Sequence, residues 1–515
     1  ADFMTCVLAE ARRGRVAGRT GFSWLAGLAW QAGRNGPASL ASLAMIAIIS
    51  GLVTPRQVEA QSFDQLTTSA RPFVSVESSR FVIEHVVLID GTGAPARADM
   101  SVFVEDGRIT RVAPSAQMTR PSGDVQVIDG TGQTLTPGLV MMHEHMFYPS
   151  GAARYNTNEQ SFPPLYLAGG VTTMRTGGTV DPYSDLSTRR LIEAGRIVGP
   201  HMDVTGPYLE GPDGFIRSFP QLATPEQARQ HVNFWIDQGV TSFKAYNLIS
   251  RETLGAGIEA AHARGIKVTG HLCSITYREA ADLGIDNLEH GFFAATDWVA
   301  DKQPDQCLRG ADQSYLDLDL ESPAFTDLVD HLVSKGVALT STLTVVERRA
   351  GGRPAPPLGA QEAMLPQLRE RVMAGVARNA ARENNPNSEL LAKYMAMEKA
   401  FYDAGGFLMV GTDPTGGGDV VPGYANQRAV QLLVEIGLSV EQAVEVATKN
   451  GAIYLGQDSE IGTVEVGKRA DLVLMRGNAA TDVEAFRHMT IVFKDGVGYD
   501  SPKLFDSVKG WAGVR

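Results

Sequence analysis

Two patterns divide the chain. Near its start, short β-rich runs are broken by Asp-Gly pairs: "FVIEHVVLIDGTG" (residues 81–93), "MSVFVEDGRITRVAP" (100–114) and "VQVIDGTGQTLTPG" (125–138). Asp-Gly suits a two-residue turn in which both residues take positive φ, so these runs read as hairpins. The far end repeats the pattern in "IGTVEVGKRADLVLMRGN" (461–478) and "HMTIVFKDGVGYD" (488–500). Two β-rich ends enclosing a different middle predict one small β-sandwich domain, built from residues 61–137 and 461–515.

The middle, residues 138–460, alternates between apolar strand-like runs and helix-like segments. The strand candidates are "VMMHEH", "GVTTMRTGG", "HMDVTGPYLEG", "VTSFKAYN", "KVTGHLC", "NLEHGFF", "VALTSTLTV" and "FLMVGTDPTGGG". A long polar, helical insertion separates the last two and reaches Ala404. Such alternation implies parallel strands with crossover helices. Eight of them predict an α/β fold, a (β/α)8 TIM barrel whose site lies at the C-terminal strand ends.

The first 60 residues belong to neither pattern. Arg12, Arg13, Arg15 and Arg19 make a basic start, "SLASLAMIAIISGLV" (39–53) is apolar and uncharged, and "VEA" offers small residues before Gln61. This is the order of an export signal, and the apolar run is shorter than the ~20 residues of a membrane span. The expectation is an exported protein, periplasmic or extracellular, with no stable membrane span after cleavage. The alternative is a membrane anchor at residues 39–53.

Composition narrows the classes. The chain of 515 residues is 43% hydrophobic and 20% charged, an ordinary globular balance. Its net charge is -12. Removing residues 1–60 would leave 40 basic against 55 acidic side chains, a net charge of -15. That argues against a nucleic-acid partner and for a small-molecule substrate. Oligomeric state is not legible, and a homo-oligomer stays open. Of three cysteines, Cys273 and Cys307 lie beyond the leader, and an oxidising compartment would let them pair.

The strand ends carry the chemistry. His143 and His145 close the first, Lys244 the fourth, His271 the fifth, His290 the sixth and Asp413 the eighth. In an extended strand residues i and i+2 face the same side, so the His-x-His pair can grip one ion. A lone histidine is more often structural than a ligand. Six metal-compatible side chains at one end of five strands are hard to explain that way.

The set resembles the amidohydrolase superfamily in its binuclear-metal form. "TPGLVMMHEH" is similar to the superfamily's entry into its first strand, and "GTVEVGKRADLVLM" (462–475) to its sheet domain. The resemblance implies that His143 and His145 bind the first metal, and that His271 and His290 bind the second. Lys244 would carry carbon dioxide as a carbamate bridging both, since an ammonium cannot ligate a cation and burial lowers a lysine pKa. Asp413 would ligate the first metal and take the proton of the bridging water. The expected cofactors are two divalent ions, zinc first among them. One departure is Met141, where the superfamily usually has an acid two residues before the first histidine. Within the superfamily, "FPPLYLAGGVTTMRTGG" and "KVTGHLC…NLEHG" look most like exported prolidase and imidazolonepropionase relatives.

The activity implied is hydrolysis of a carbon–nitrogen bond by hydroxide shared between two ions. A dipeptide of Xaa-Pro type or an N-acyl amino acid is the expected substrate. Tyr246 would bond the tetrahedral oxyanion, unless it is a packing tyrosine. Arg175 would hold a substrate carboxylate, unless it forms a structural ion pair. A mononuclear deaminase on the same fold would need a glutamate at position 274, which is Ser274, and would lack Lys244. A lactonase on this fold, or a metal-binding barrel without activity, would use the same six side chains.

Overall fold

The computed structural model describes residues 61–119, 122–151, 154–214, 216–308, 311–415 and 419–513. Contacts divide the chain after Val58, and every described residue belongs to the part that begins at Glu59. The expected leader lies outside the described residues. Among the described helices none is long and apolar enough to cross a membrane.

Eight strands of the middle run parallel. They are β1 (Leu139–Glu144), β2 (Val171–Thr176), β3 (His201–Asp203), β4 (Ser242–Ala245), β5 (Lys267–Gly270), β6 (Asn287–Glu289), β7 (Ala338–Ser341) and β8 (Leu408–Val410). One sheet has the order β3-β2-β1 and a second the order β4-β5-β6-β7-β8. The two sheets meet along both edges. Gly206 beyond β3 donates to the Ser242 carbonyl at 2.8 Å, and Thr412 beyond β8 donates to the His143 carbonyl at 3.1 Å. β1, β2, β4 and β7 are buried at every residue, which is why these runs read as continuously apolar or small instead of alternating.

Local sequence explains where each helix begins. Asp181, Thr224, Ser250 and Thr276 accept hydrogen bonds from the free N–H groups of the helices Pro182–Glu193, Pro225–Gln238, Arg251–His262 and Tyr277–Asp282. Gly239 closes the second of these at φ 101, a conformation that suits glycine. The segment between β7 and β8 is helical, with Leu343–Glu347, Leu358–Ala363, Pro366–Ala380 and Pro386–Asp403 in succession.

The two chain ends interleave in one nine-stranded sheet. Its order is Val74–Val76, Val497–Asp500, Met489–Lys494, Leu472–Arg476, Gln133–Pro137, Arg80–Leu88, Arg97–Glu105 and Arg108–Pro114, with Gln126–Asp129 also beside Arg80–Leu88. The sheet curls. Phe81 and Phe493 stack with centroids 5.0 Å apart, although two strands lie between theirs. In a flat sheet that separation is about 14 Å. Asp106-Gly107 (φ 49 and 76) and Asp495-Gly496 (φ 55 and 84) form the expected hairpin turns. The run at 125–138 does not form a hairpin. Its two strands both pair in parallel with Arg80–Leu88, because Asp129 Oδ1 accepts from the Thr131 amide and hydroxyl and turns the chain forward.

Candidate metal centre

The six side chains singled out from sequence converge at the C-terminal ends of the parallel strands. His143 lies within β1, His145 just beyond it, Lys244 within β4, His271 and His290 directly after β5 and β6, and Asp413 shortly after β8. His145 Nε2 is 3.2 Å and His143 Nε2 3.8 Å from Asp413 Oδ1. Lys244 Nζ is 3.1 Å from His143 Nε2. The His290 ring lies 4.6 Å from both the His143 and the His271 rings. Ligand atoms of His143, His290 and Asp413 all fall within 4.8 Å of one another.

The surrounding hydrogen bonds fix which nitrogen faces inward. His143 Nδ1 meets Glu289 Oε2 at 2.7 Å, and His145 Nδ1 meets the Gly178 carbonyl at 3.1 Å. Both acceptors require a donor at Nδ1, which leaves the Nε2 lone pairs aimed at the centre. His290 Nδ1 meets Thr342 Oγ1 at 2.8 Å, while its Nε2 is buried without a hydrogen-bond partner among the described residues. A buried nitrogen left unsatisfied is costly, and a cation at the centre is the partner it fits.

Charge follows from burial. Burial, with Lys244 nearby, lowers the His143 pKa. Burial takes His145 to about 4 and His271 to about 3, and with His143 beside it holds His290 well below the usual range. All four imidazoles are therefore neutral at pH 7. Burial works to raise Asp413, but His145, His143 and His290 outweigh it and hold the carboxyl well below its ordinary value. Burial lowers Lys244 to about 8, against the pull of Glu289 and Asp413. Neutral imidazoles, an ionised carboxylate and an easily deprotonated amine make a donor set suited to divalent cations.

The backbone is unusual at two of these positions. His290 has φ 67 and Asp413 φ 50. Non-glycine residues in this region cost of order 1 kcal/mol or more and collect at functional sites. Here the twist turns both side chains back toward β1. Gly177 allows the close approach, since a Cβ there would lie 2.6 Å from His143 Nε2.

Arg175 does not face a substrate. It is 1% exposed, and four of its donors are committed: to Ser242 Oγ (3.1 Å), the Met142 carbonyl (3.1 Å), Glu289 Oε1 (3.0 Å) and Thr269 Oγ1 (3.0 Å). The substrate role expected of it gives way to a structural ion pair beneath the histidines. Tyr246 packs its ring 4.9 Å from His271 and 5.2 Å from both Tyr208 and Phe219, at the edge of the centre.

Two carboxylates escaped the sequence reading. Glu289, next to His290, orients His143 and pairs with Arg175. Burial would raise its pKa, yet His143 and Arg175 hold it well below the usual range. Glu144 faces away from the two histidines that flank it. It accepts from the Thr412 hydroxyl and from Asn426 Nδ2 (2.9 Å), tying β1 to the segment that carries Asp413. An acid inside an otherwise apolar strand was the signal for both.

The remaining histidines pair elsewhere. His85 meets Asp99 at 2.7 Å, His262 Asp286 at 2.9 Å and His331 Asp282 at 3.0 Å, while His231 and His488 lie in helical segments. His201 meets Asp495 at 3.0 Å beside Asp471, and Arg469 and Lys494 balance these acids. Ser274 Oγ donates to the Ile249 carbonyl at 2.6 Å, a structural bond. A disulfide joins Cys273, two residues beyond His271, to Cys307.

The sequence model of the Amidohydrolase family matches residues 134–497. The chain belongs to the amidohydrolase family. It is a hydrolase of carbon–nitrogen bonds, in a family that depends on divalent metals. Among solved structures it is similar to a candidate prolidase from Bifidobacterium longum, at 27% identity and a TM-score of 0.59, covering 84% of this chain and 99% of that one. A Xaa-Pro dipeptidase with methionine bound in its active site shares the fold at 19% identity and a TM-score of 0.59, covering 82% and 100%. The imidazolonepropionase of Geobacillus sp. (strain WCH70) is 22% identical over 433 residues, 73% of this chain and 83% of the relative.

Proposed function

We propose that the chain hydrolyses the amide of a dipeptide, of Xaa-Pro type, or of an N-acyl amino acid at a binuclear centre. His143, His145 and Asp413 would hold one divalent ion, His271 and His290 the other, and Lys244 as its carbamate would bridge them. Zinc is the first candidate. The observation that carries this reading is the convergence of His143, His290 and Asp413, whose ligand atoms lie within 4.8 Å of one another, together with a buried His290 Nε2 that has no hydrogen-bond partner among the described residues. The bound ions would polarise the scissile carbonyl and make water acidic enough to attack near neutral pH. Asp413, ionised, accepting from the Thr415 hydroxyl and 3.2 Å from His145 Nε2, takes the proton of the attacking water. It returns that proton to the leaving nitrogen. Tyr246 donates a hydrogen bond from its hydroxyl to the developing oxyanion, and burial keeps the proton on that hydroxyl by raising its pKa. Deamination is disfavoured, because Ser274 is occupied structurally and Lys244 sits against His143.

The two parallel sheets, joined along both edges, are read as one closed (β/α)8 barrel over residues 138–460. The curled nine-stranded sheet is read as a β-sandwich of residues 61–137 and 461–515. Export from the cytoplasm is supported by the Cys273–Cys307 disulfide together with the leader-like sequence.

Elemental mass spectrometry on the purified protein tests the centre first. About two divalent ions per chain are expected, with an intact mass that includes a lysine carbamate. About one ion per chain, with an unmodified Lys244, would sink the binuclear reading. A screen of dipeptides and N-acyl amino acids then tests the substrate. Asp413→Asn should lower kcat by roughly 100-fold or more while at least one metal stays bound, and full activity in that variant would remove the role given to Asp413.

A further inference from the structure

Arg349 follows β7 by way of the short helix Leu343–Glu347, which brings it to the same end of the strands as the metal-binding side chains. Neighbouring arginines are spoken for: Arg348, Arg353 and Arg428 pair with Glu347 at 2.9, 2.8 and 2.7 Å. Arg349 is exposed, and among the described residues no carboxylate lies within ion-pair distance of it. Its guanidinium carbon stands 5.6 Å from the centroid of the Phe293 ring. That ring lies 6.2 Å from His290 and 6.3 Å from His271, so a single aromatic ring separates the cation from two residues of the centre. Phe293 is itself fixed. The Tyr315 hydroxyl donates to its carbonyl at 3.0 Å, and the Tyr394 ring meets its own edge-on at 5.7 Å.

A guanidinium resting on an aromatic face keeps its orientation and presents its N–H fork outward, the geometry that takes a carboxylate by two hydrogen bonds. A chain spans about 3.5 Å per residue, so in a small substrate the carboxylate of the amino acid beyond the scissile carbonyl stays at the end of the strands where Arg349 lies. We propose that Arg349, seated on Phe293, binds the free carboxylate of the amino acid whose nitrogen leaves, and so selects acids over neutral amides. The inference rests on the amide-hydrolysis reading of the same centre and names the group that reads one end of the substrate.

The probes are L-methionyl-L-proline and L-methionyl-L-prolinamide, used on the metal-loaded full chain. Calorimetry on the Asp413→Asn protein reads binding without turnover. The acid is expected to bind at least about tenfold tighter than the carboxamide. Arg349→Ala on that background should erase the preference, and Arg349→Lys should keep part of it. In the active enzyme Arg349→Ala should raise KM for the acid roughly 10- to 100-fold with kcat little changed, and leave the carboxamide unaffected. An unchanged melting temperature would exclude a folding defect, as expected for an exposed side chain. A preference that survives Arg349→Ala, or no preference in the parent protein, overturns the proposal. Preferential binding of the acid without turnover of either probe would keep this proposal and overturn the substrate reading. Equal binding and turnover of both probes would do the reverse.

Discussion

Glu289 decides how His143 presents itself. Its carboxylate accepts a hydrogen bond from Nδ1–H at 2.7 Å and is held by Arg175 at 3.0 Å from the other side. Glu289→Gln keeps the shape but removes the charge that both partners rely on. Metal affinity should fall about 10- to 100-fold, as read by competition with a chelating dye; unchanged affinity would confine Glu289 to packing. Glu398 offers a test by pH. It is 1% exposed, and its Oε2 has no hydrogen-bond partner among the described residues. Burial raises its pKa from 4.5 to about 8. The folded chain therefore holds a proton that the unfolded chain has lost over that interval, and stability falls as pH rises from 4.5 to about 8. Glu398→Gln should flatten the decline of melting temperature between these limits. A decline of the same slope in the variant would assign the pH dependence to different groups, such as Glu144, whose pKa burial also raises to about 8.

At the level of elements, the legible parts were those with local rules. The runs of β1, β2, β4 and β7 were apolar or small because both faces are covered, and helices of the middle began at capping side chains that a reader of sequence can find. The Asp-Gly hairpins at 106–107 and 495–496 formed, whereas Asp129-Gly130 did not make one. The dipeptide is the same; the difference lies in the Asp129 side chain, which bonds forward to Thr131, and in the strand available on either side. The Cys273–Cys307 disulfide belongs to this scale. It spans 34 residues and ties the end of β5 to the segment that precedes the helix Asp312–Asp317. Replacing both cysteines by serine should lower unfolding free energy by about 2–4 kcal/mol, measured by chemical denaturation with metal present. A loss below about 0.5 kcal/mol would mean that the loop is held by its remaining contacts, among them Lys302 Nζ donating to the Ser274 carbonyl at 2.6 Å.

For the whole molecule, metal and fold should be coupled. Three buried and one half-buried neutral imidazole, one ionised carboxylate and a buried lysine converge with one nitrogen left unsatisfied. A cation that binds only the folded chain adds about 2.7 kcal/mol when present at 100 times its Kd. Chelation should therefore lower the melting temperature by several degrees, and a divalent cation should restore it. A melting curve indifferent to chelator would mean that the centre is held together without its ions.

By itself, the sequence determined the periodicity of the middle, the β-rich ends, and the identity of the six side chains, because these depend on local pattern and on residue chemistry. It also marked Arg175 and Tyr246 as polar groups at strand ends, without a way to know which way each would point. Only the tertiary structure decided that. Arg175 turned inward because Glu289, Ser242 and Thr269, from three different strands, satisfy its donors there. Arg349 remained outward on Phe293 because its neighbours had taken Glu347. Which charge meets which partner depends on strands far apart in sequence, and a single strand cannot encode its neighbours' side chains.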